Sequence, residues 1–375
     1  MHWSRRGVLS APISAPFMPG PGYVIAAAAA LVLAIARRRR MRPPPVLPPL
    51  LEHINLNIPS EALARDFYVG LGGAVNPKTS NWRQLHINAG ASQWHLLHSL
   101  SRPDVTPPGE PVRERQLWPG LLELWTKEPL VRMRDRLARV HAADPPPGPP
   151  PPSDDSIAVG YGEGGRWPAV PTLSADGKRL LCACPWGNRF EIREAPAGYS
   201  PEGQHPGGAG SLVAIRRLVH PIGLGGAAPA AAFFSDVLGC ETVRLEEDER
   251  LGGPSCVVPF ASGQTLHFVE TADAPAADAY VTDEAAAGYH LAMYVADHER
   301  FGRAFDLAQQ RDCLFLNERF EGGPPEFGNA MTRELAMACG QFRVRDVRDS
   351  AGKLVLMLEL EVRSPRHISC PLPKK

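Results

Sequence analysis

Three histidines stand where a reactive centre could be built. His53 lies in Leu51-Glu52-His53-Ile54-Asn55-Leu56, and His220 lies 167 residues later in Leu218-Val219-His220-Pro221-Ile222-Gly223-Leu224. Each is followed by a helical stretch with a similar ending, Phe67-Tyr68-Val69-Gly70-Leu71-Gly72 and Phe233-Phe234-Ser235-Asp236-Val237-Leu238-Gly239. His290 follows His220 by 70 residues, in Gly288-Tyr289-His290-Leu291-Ala292-Met293. Imidazole is a ligand for Zn, Cu, Fe and Ni. A histidine at the start of each copy is therefore where a metal site could be built. A repeat this long means two copies of a whole domain and not a solenoid of small units.

The elements that must position these side chains are legible as period and punctuation. Residues 51–58 alternate and are rich in Ile and Leu, so they form a strand. Ser60 is placed to cap a helix whose apolar side is Ala62, Leu63, Phe67 and Val69, and Gly72-Gly73 ends it. Strands follow at 82–88, 92–97 and 121–126, then a basic amphipathic helix at 129–141. Strands 180–184 and 190–194 close the first copy around Pro185-Trp186-Gly187-Asn188. The second copy repeats the order: strand 213–224, helix 228–238, strands 255–260 and 264–270, strand 289–295, helix 298–310, and strands 341–347 and 353–363. The fold class is α+β, with two βαβββ modules per copy. The expected bounds are 1–50 for a leader, 51–195 for domain one with a Pro-rich insertion at 144–155, 196–211 for a linker, 212–365 for domain two, and 366–375 for a tail.

Bulk composition narrows the partners. Forty basic residues balance forty acidic ones, whereas nucleic-acid binders carry a basic excess. The 7 cysteines have no disulfide-like spacing, which indicates a reducing compartment. Cys182 and Cys184 are expected as a buried pair, and Cys256 and Cys313 as small buried residues. Residues 1–51 contain no Asp or Glu, while Arg5, Arg6, Arg37 to Arg40 and Arg42 are basic. Such a leader fits an organelle transit peptide, for a chloroplast or mitochondrion. The alternatives are a membrane anchor through residues 23–36 and a plain tail. That apolar run would span about 21 Å as a helix, short of a roughly 30 Å hydrocarbon core.

The two histidine strands, the two helix endings, the closing Pro185-Trp186-Gly187-Asn188-Arg189-Phe190-Glu191-Ile192 and the later Asp349-Ser350-Ala351-Gly352 together resemble the vicinal oxygen chelate superfamily. That family includes glyoxalase I, the extradiol dioxygenases and fosfomycin-resistance proteins. The resemblance covers about residues 50–365. It implies curled sheets made by paired modules around a cavity, and a divalent ion there, Fe(II), Zn(II) or Mn(II). Such an ion binds two adjacent substrate oxygens as a Lewis acid. Its ligands would come from the first strands of paired modules and from a last strand. In domain two these positions fall on His220 and His290, with Glu359 preferred over Glu361 as the carboxylate. Domain one offers His53 and Glu191, but Leu121 stands where a middle ligand is expected. Glu123 could substitute, and His86, His95 and His98 lie on neighbouring strands. His267, Tyr289 and Tyr294 could line the cavity.

Besides a membrane-tethered protein whose N-terminal anchor matters more than any chemistry, two functions stay open at this point. One is a metal-dependent enzyme of glyoxalase or extradiol dioxygenase type acting on a small molecule in domain two. The other is a metal-free small-molecule binder or scaffold on the same fold, since Leu121 and Leu356 break the ligand sets and fold does not imply function. In that case Glu359 and Glu361 would be solvent-facing partners of Arg343, Arg345 and Arg363.

Overall fold

The structure is a computed structural model, and it describes residues 49–81, 84–97, 116–143, 170–201, 203, 205, 207–248, 250–274, 276–277, 290–317 and 330–371. The leader up to residue 48, the insertion 144–155, His98, Tyr289 and the last four residues lie outside the described residues. No described helix is long and apolar enough to cross a membrane.

The chain runs β1 (Leu50–Asn57), α1 (Glu61–Gly70), β2 (Ala74–Val75), β3 (Gln84–Ala89), β4 (Ser92–Leu97), then β5 (Leu121–Thr126), α2 (Leu130–Ala143), β6 (Thr172–Leu173), β7 (Leu180–Ala183), β8 (Arg189–Glu194). The second copy is β9 (Leu212–Ile222), α3 (Ala227–Ala232) continuing as a π turn over Phe233–Val237, β10 (Arg244–Glu247), β11 (Pro254–Pro259), β12 (Thr265–Glu270), then β13 (His290–Tyr294), α4 (His298–Gln310), α5 (Arg333–Cys339), β14 (Gln341–Arg348), β15 (Leu354–Arg363). The β-α-β-β-β unit thus recurs as expected. In the last unit the second strand is reduced to a single bridge, Leu314 to Val344, among the described residues.

Local chemistry sets the ends. Ser60 caps α1 by accepting from Leu63 N at 3.3 Å, and Asp297 caps α4 by accepting from Arg300 N at 2.7 Å, each satisfying a helix-end donor. Gly70 lets α1 meet α2, because a Cβ there would lie 2.9 Å from Leu137 Cδ2. The inner faces of the helices pack on Leu122, Leu124, Phe190 and Ile192 from one sheet and on Ile54, Leu56, Leu358 and Leu360 from the other.

The arrangement of the modules is the finding that matters for function. One open, curled sheet has the order β14-β15-β13-β1-β4-β3-β2, and the other β10-β11-β12-β9-β5-β8-β7-β6. Each sheet therefore takes strands from both copies. The first and last modules share one sheet, joined where β1 pairs antiparallel with β13. The two inner modules share the other, joined where β5 pairs antiparallel with β9. All described residues belong to one compact unit, so 196–211 separates two copies of a repeat and not two separately closed sheets.

Candidate metal centre

Strand pairing decides which side chains meet. In the first sheet Asn55 lies opposite His290 and His53 opposite Ala292, while Ala292 lies beside Glu361 on β15. Leu51 pairs with Met293, so Glu52 is an extra residue in a bulge. Bulges re-aim side chains, and here the bulge brings Glu52 to the same side as His53. On β15 alternation sends Leu356, Leu358 and Leu360 into the core and leaves Glu359, Glu361 and Arg363 facing the histidines.

The result is a buried centre. His53 Nε2 and His290 Nε2 are 3.1 Å apart, and His290 Nε2 is 3.5 Å from Glu361 Oε2. Behind His53, Nδ1 is hydrogen-bonded to Glu52. Behind His290, Nδ1 is 4.0 Å from Glu359 Oε1. Both rings thus present Nε2 to one place and a carboxylate stands behind each Nδ1. Arg343 bridges Glu359 and Glu361. Arg363 bridges Glu361 and Glu52, the latter at 2.8 Å. Asn317 donates to both oxygens of Glu359 at 3.2 Å, and His205 from the linker reaches Glu52 Oε1 at 3.3 Å. His53 also heads a stack of imidazoles. His95 lies over it with centroids 3.7 Å apart, and His86 over His95 at 3.9 Å. His95 Nε2 is engaged by Gln93 Oε1 at 2.8 Å.

Burial opposes charge in this centre, and the neighbouring cationic groups overcome it for Glu361 and Glu52. Burial raises the Glu361 carboxyl, but Arg363 and Arg343 together bring it down to about 2. Burial likewise raises Glu52, and Arg363 and His53 hold it well below the usual range. His95 is pushed well below its ordinary value by burial and by His53 and His86 beside it. Glu52, Glu359 and Glu361 face Arg343 and Arg363, and all five are buried. With neutral imidazoles, three carboxylates against two guanidiniums leave one negative charge uncompensated, which favours a cation.

The donor set fits a transition metal. Two donors each about 2.1 Å from one ion stand roughly 3.0–3.4 Å apart, close to the separations of the two Nε2 atoms and Glu361. Two imidazoles and one carboxylate leave positions open. A carboxylate on the far nitrogen of a ligating histidine fixes its tautomer and raises its basicity.

The anticipated ligand sets are redistributed. His220 lies on β9 in the second sheet, away from His290 on β13. It packs edge-on to Trp118 with centroids 5.4 Å apart, and its Nδ1 is 3.0 Å from the Pro221 carbonyl. Glu191 lies on β8 in that same second sheet, away from His53, and is paired with Arg193 at 2.7 Å and Arg250 at 2.9 Å. Glu123 joins that group through Arg250 at 3.3 Å. His267 rests between Thr265, at 3.0 Å, and Asp248, at 3.7 Å. Of the anticipated residues, the structure brings together His53, His290, Glu359 and Glu361. The anticipated partners Arg343 and Arg363 meet the glutamates inside the centre, and Glu52 and His205 complete it; the bulge and the cross-copy pairing that bring Glu52 there leave no mark in strand period. Tyr294 is buried on β13, and burial pushes its hydroxyl up. Cys182 and Cys184 are both buried thiols, and burial pushes the Cys184, Cys256 and Cys313 thiols up to about 11, 12 and 11.

His220 yields a pH prediction. Burial lowers it to about 4 from its ordinary 6.5, and His367 is likewise lowered to about 4. For each, the unfolded chain takes up a proton that the folded chain refuses, so stability is full above about pH 6.5 and falls as pH drops toward 4. The urea midpoint should fall across that window, and His220→Leu should flatten the slope by about one proton. An unchanged slope would mean that His220 is already protonated in the fold.

No protein-family model matches the chain, and no curated protein matches its sequence. Among solved structures, glyoxalase I from Zea mays is similar over 84% of this chain and 92% of its own, at 9% identity and a TM-score of 0.42. A putative dioxygenase from Bacillus subtilis is similar over 84% of this chain and 85% of its own, at 11% identity and a TM-score of 0.41. A 4-hydroxymandelate synthase variant from Streptomyces coelicolor covers 88% of this chain and 96% of its own, at 14% identity and a TM-score of 0.26. What the histidine centre can do follows from its own atoms.

Proposed function

We propose that this chain is a metal-dependent enzyme of the glyoxalase or dioxygenase type with one centre, held by His53, His290 and Glu361 in the first sheet. The observation that carries this is the convergence of two Nε2 atoms and a carboxylate oxygen on one buried place, with Glu52 behind His53. When bound, the ion supplies Lewis acidity toward two adjacent oxygens of a small molecule. The chain's own part is positioning. Glu52 accepts from His53 Nδ1–H and keeps the Nε2 lone pair inward, while Arg343 and Arg363 hold Glu361 in orientation. His95 fixes the plane of the His53 ring by stacking.

One observation favours a metal-free binder instead. Arg343 and Arg363 already pair with all three carboxylates, so one protonated imidazole would balance the centre without an ion. Metal content decides between the two. The full chain, purified without oxygen, is loaded separately with Fe(II), Zn(II) and Mn(II), desalted, and measured by mass spectrometry. One ion per chain supports the enzyme and directs screening toward catechols and hemithioacetals. No retained ion with any of the three metals leaves the binder.

A further inference from the structure

The second sheet has a cationic feature that the metal centre does not use. Along the β5–β9 pair the register steps from Glu123 opposite Arg217 to Leu124 opposite Ile215, so Arg216 is an extra residue in a bulge. Arg217 pairs with Asp248. Arg216 instead lays its guanidinium over Trp125, 5.0 Å from the ring centroid, and donates to Thr265 Oγ1 at 3.1 Å. Its Nε–H is buried without an acceptor. Trp125 is held in turn by Tyr199, edge-on at 4.8 Å, whose hydroxyl donates to the Ser262 carbonyl at 3.1 Å.

The charges around it do not cancel. Glu191 is taken by Arg193 and Arg250, Glu123 by Arg250, and Asp248 by Arg217. Among the described residues, Arg193, Arg250 and Arg217 take up these three carboxylates, and Arg216 has no carboxylate within ion-pair distance. Burial and the neighbouring Arg217 charge drive its pKa down, with Glu123 only partly restoring it. A half-buried guanidinium without a counter-charge is costly unless something anionic meets it. The bulge that aims it is itself a departure from regular pairing that natural sheets keep where a side chain must be re-aimed.

We propose that this end of the second sheet binds a small oxyanion, a carboxylate or a phosphate monoester, through Arg216, with Trp125 and Thr265 holding the fork in place. The site is separate from the histidine centre and does not depend on a metal there. Its test is calorimetric titration of the metal-free full chain with inorganic phosphate in one arm and propionate in the other. The arm that saturates identifies the source of the oxyanion. Binding should weaken at least tenfold in Arg216→Gln and persist in His53→Ala. Arg216→Lys keeps the charge and most of the packing but loses the planar fork; it should weaken binding by a smaller factor and decides the matter if Arg216→Gln does not fold. Failure of both probes to saturate, or an affinity unchanged in Arg216→Gln or in Arg216→Lys, overturns the proposal.

Discussion

His53→Ala is expected to abolish stoichiometric metal binding, and His290→Ala to do the same, while His220→Ala leaves one ion per chain. Loss of an outer-shell partner alone costs roughly 10–100-fold in affinity; removal of one of three ligands should cost more. The two Nε2 atoms stand 3.1 Å apart, so neither ring can be replaced by a neighbour without moving a strand. His95 is the nearest substitute, but its Nε2 is held by Gln93 at 2.8 Å. His220 serves as the contrast because it is equally buried and equally a histidine, yet it packs among Trp118 and Phe268 in the other sheet. Competition with a chelator measures all three, and circular dichroism confirms that each variant folds. Metal lost from His220→Ala but kept by His53→Ala would place the centre in the second sheet and overturn the assignment.

The contrast between His53 and His220 also shows where a linear reading stops. Repeat and period located the histidine strands, the helix at 298–310 and the strand at 121–126 within a residue or two, because each depends on neighbours in sequence. The ligand sets depended on which strand lies beside which. His53 and His220 are equivalent by repeat, but β1 meets β13 across 237 residues, as the His53–His290 contact shows. Pairing within each copy instead grouped His220 with His290 and His53 with Glu191, and each of those groups is divided between the sheets. Glu52 stayed hidden for a different reason. Strict alternation turns the residue before His53 to the opposite face, and only the bulge in β1 turns it back. The pairing of Glu359 and Glu361 with Arg343 and Arg363 was legible as opposite charge on neighbouring strands. Their burial was not, since it comes from elements that fold over the sheet.

Glu52→Ala is expected to be the most destabilising single change in the centre, by about 3–5 kcal/mol, the range for removing one partner of a buried ion pair. Glu52 is 1% exposed. It accepts from Arg363 Nη1 at 2.8 Å, meets His205 at 3.3 Å and holds His53 Nδ1. Its removal leaves Glu361 as the one carboxylate on Arg363 among the described residues and strips His53 of the group that sets its tautomer. The loss should follow pH with a definite sign. Burial acts against the Glu52 charge, and Arg363, His53 and His205 together more than offset it, so the folded carboxyl titrates well below the unfolded one. Its contribution is therefore complete above about pH 4.5 and shrinks as pH falls below that. Urea unfolding of wild type and variant should show the full gap at pH 7 and a narrower one near pH 4. Glu52→Ala/Arg363→Met should recover part of the gap, because the buried Nη1 donor that Glu52 satisfied goes with its partner. A gap under about 1 kcal/mol, the size of an exposed pair, would mean that water reaches Arg363 and that the centre is open; the same variant should also weaken metal binding roughly 10–100-fold through the lost support of His53.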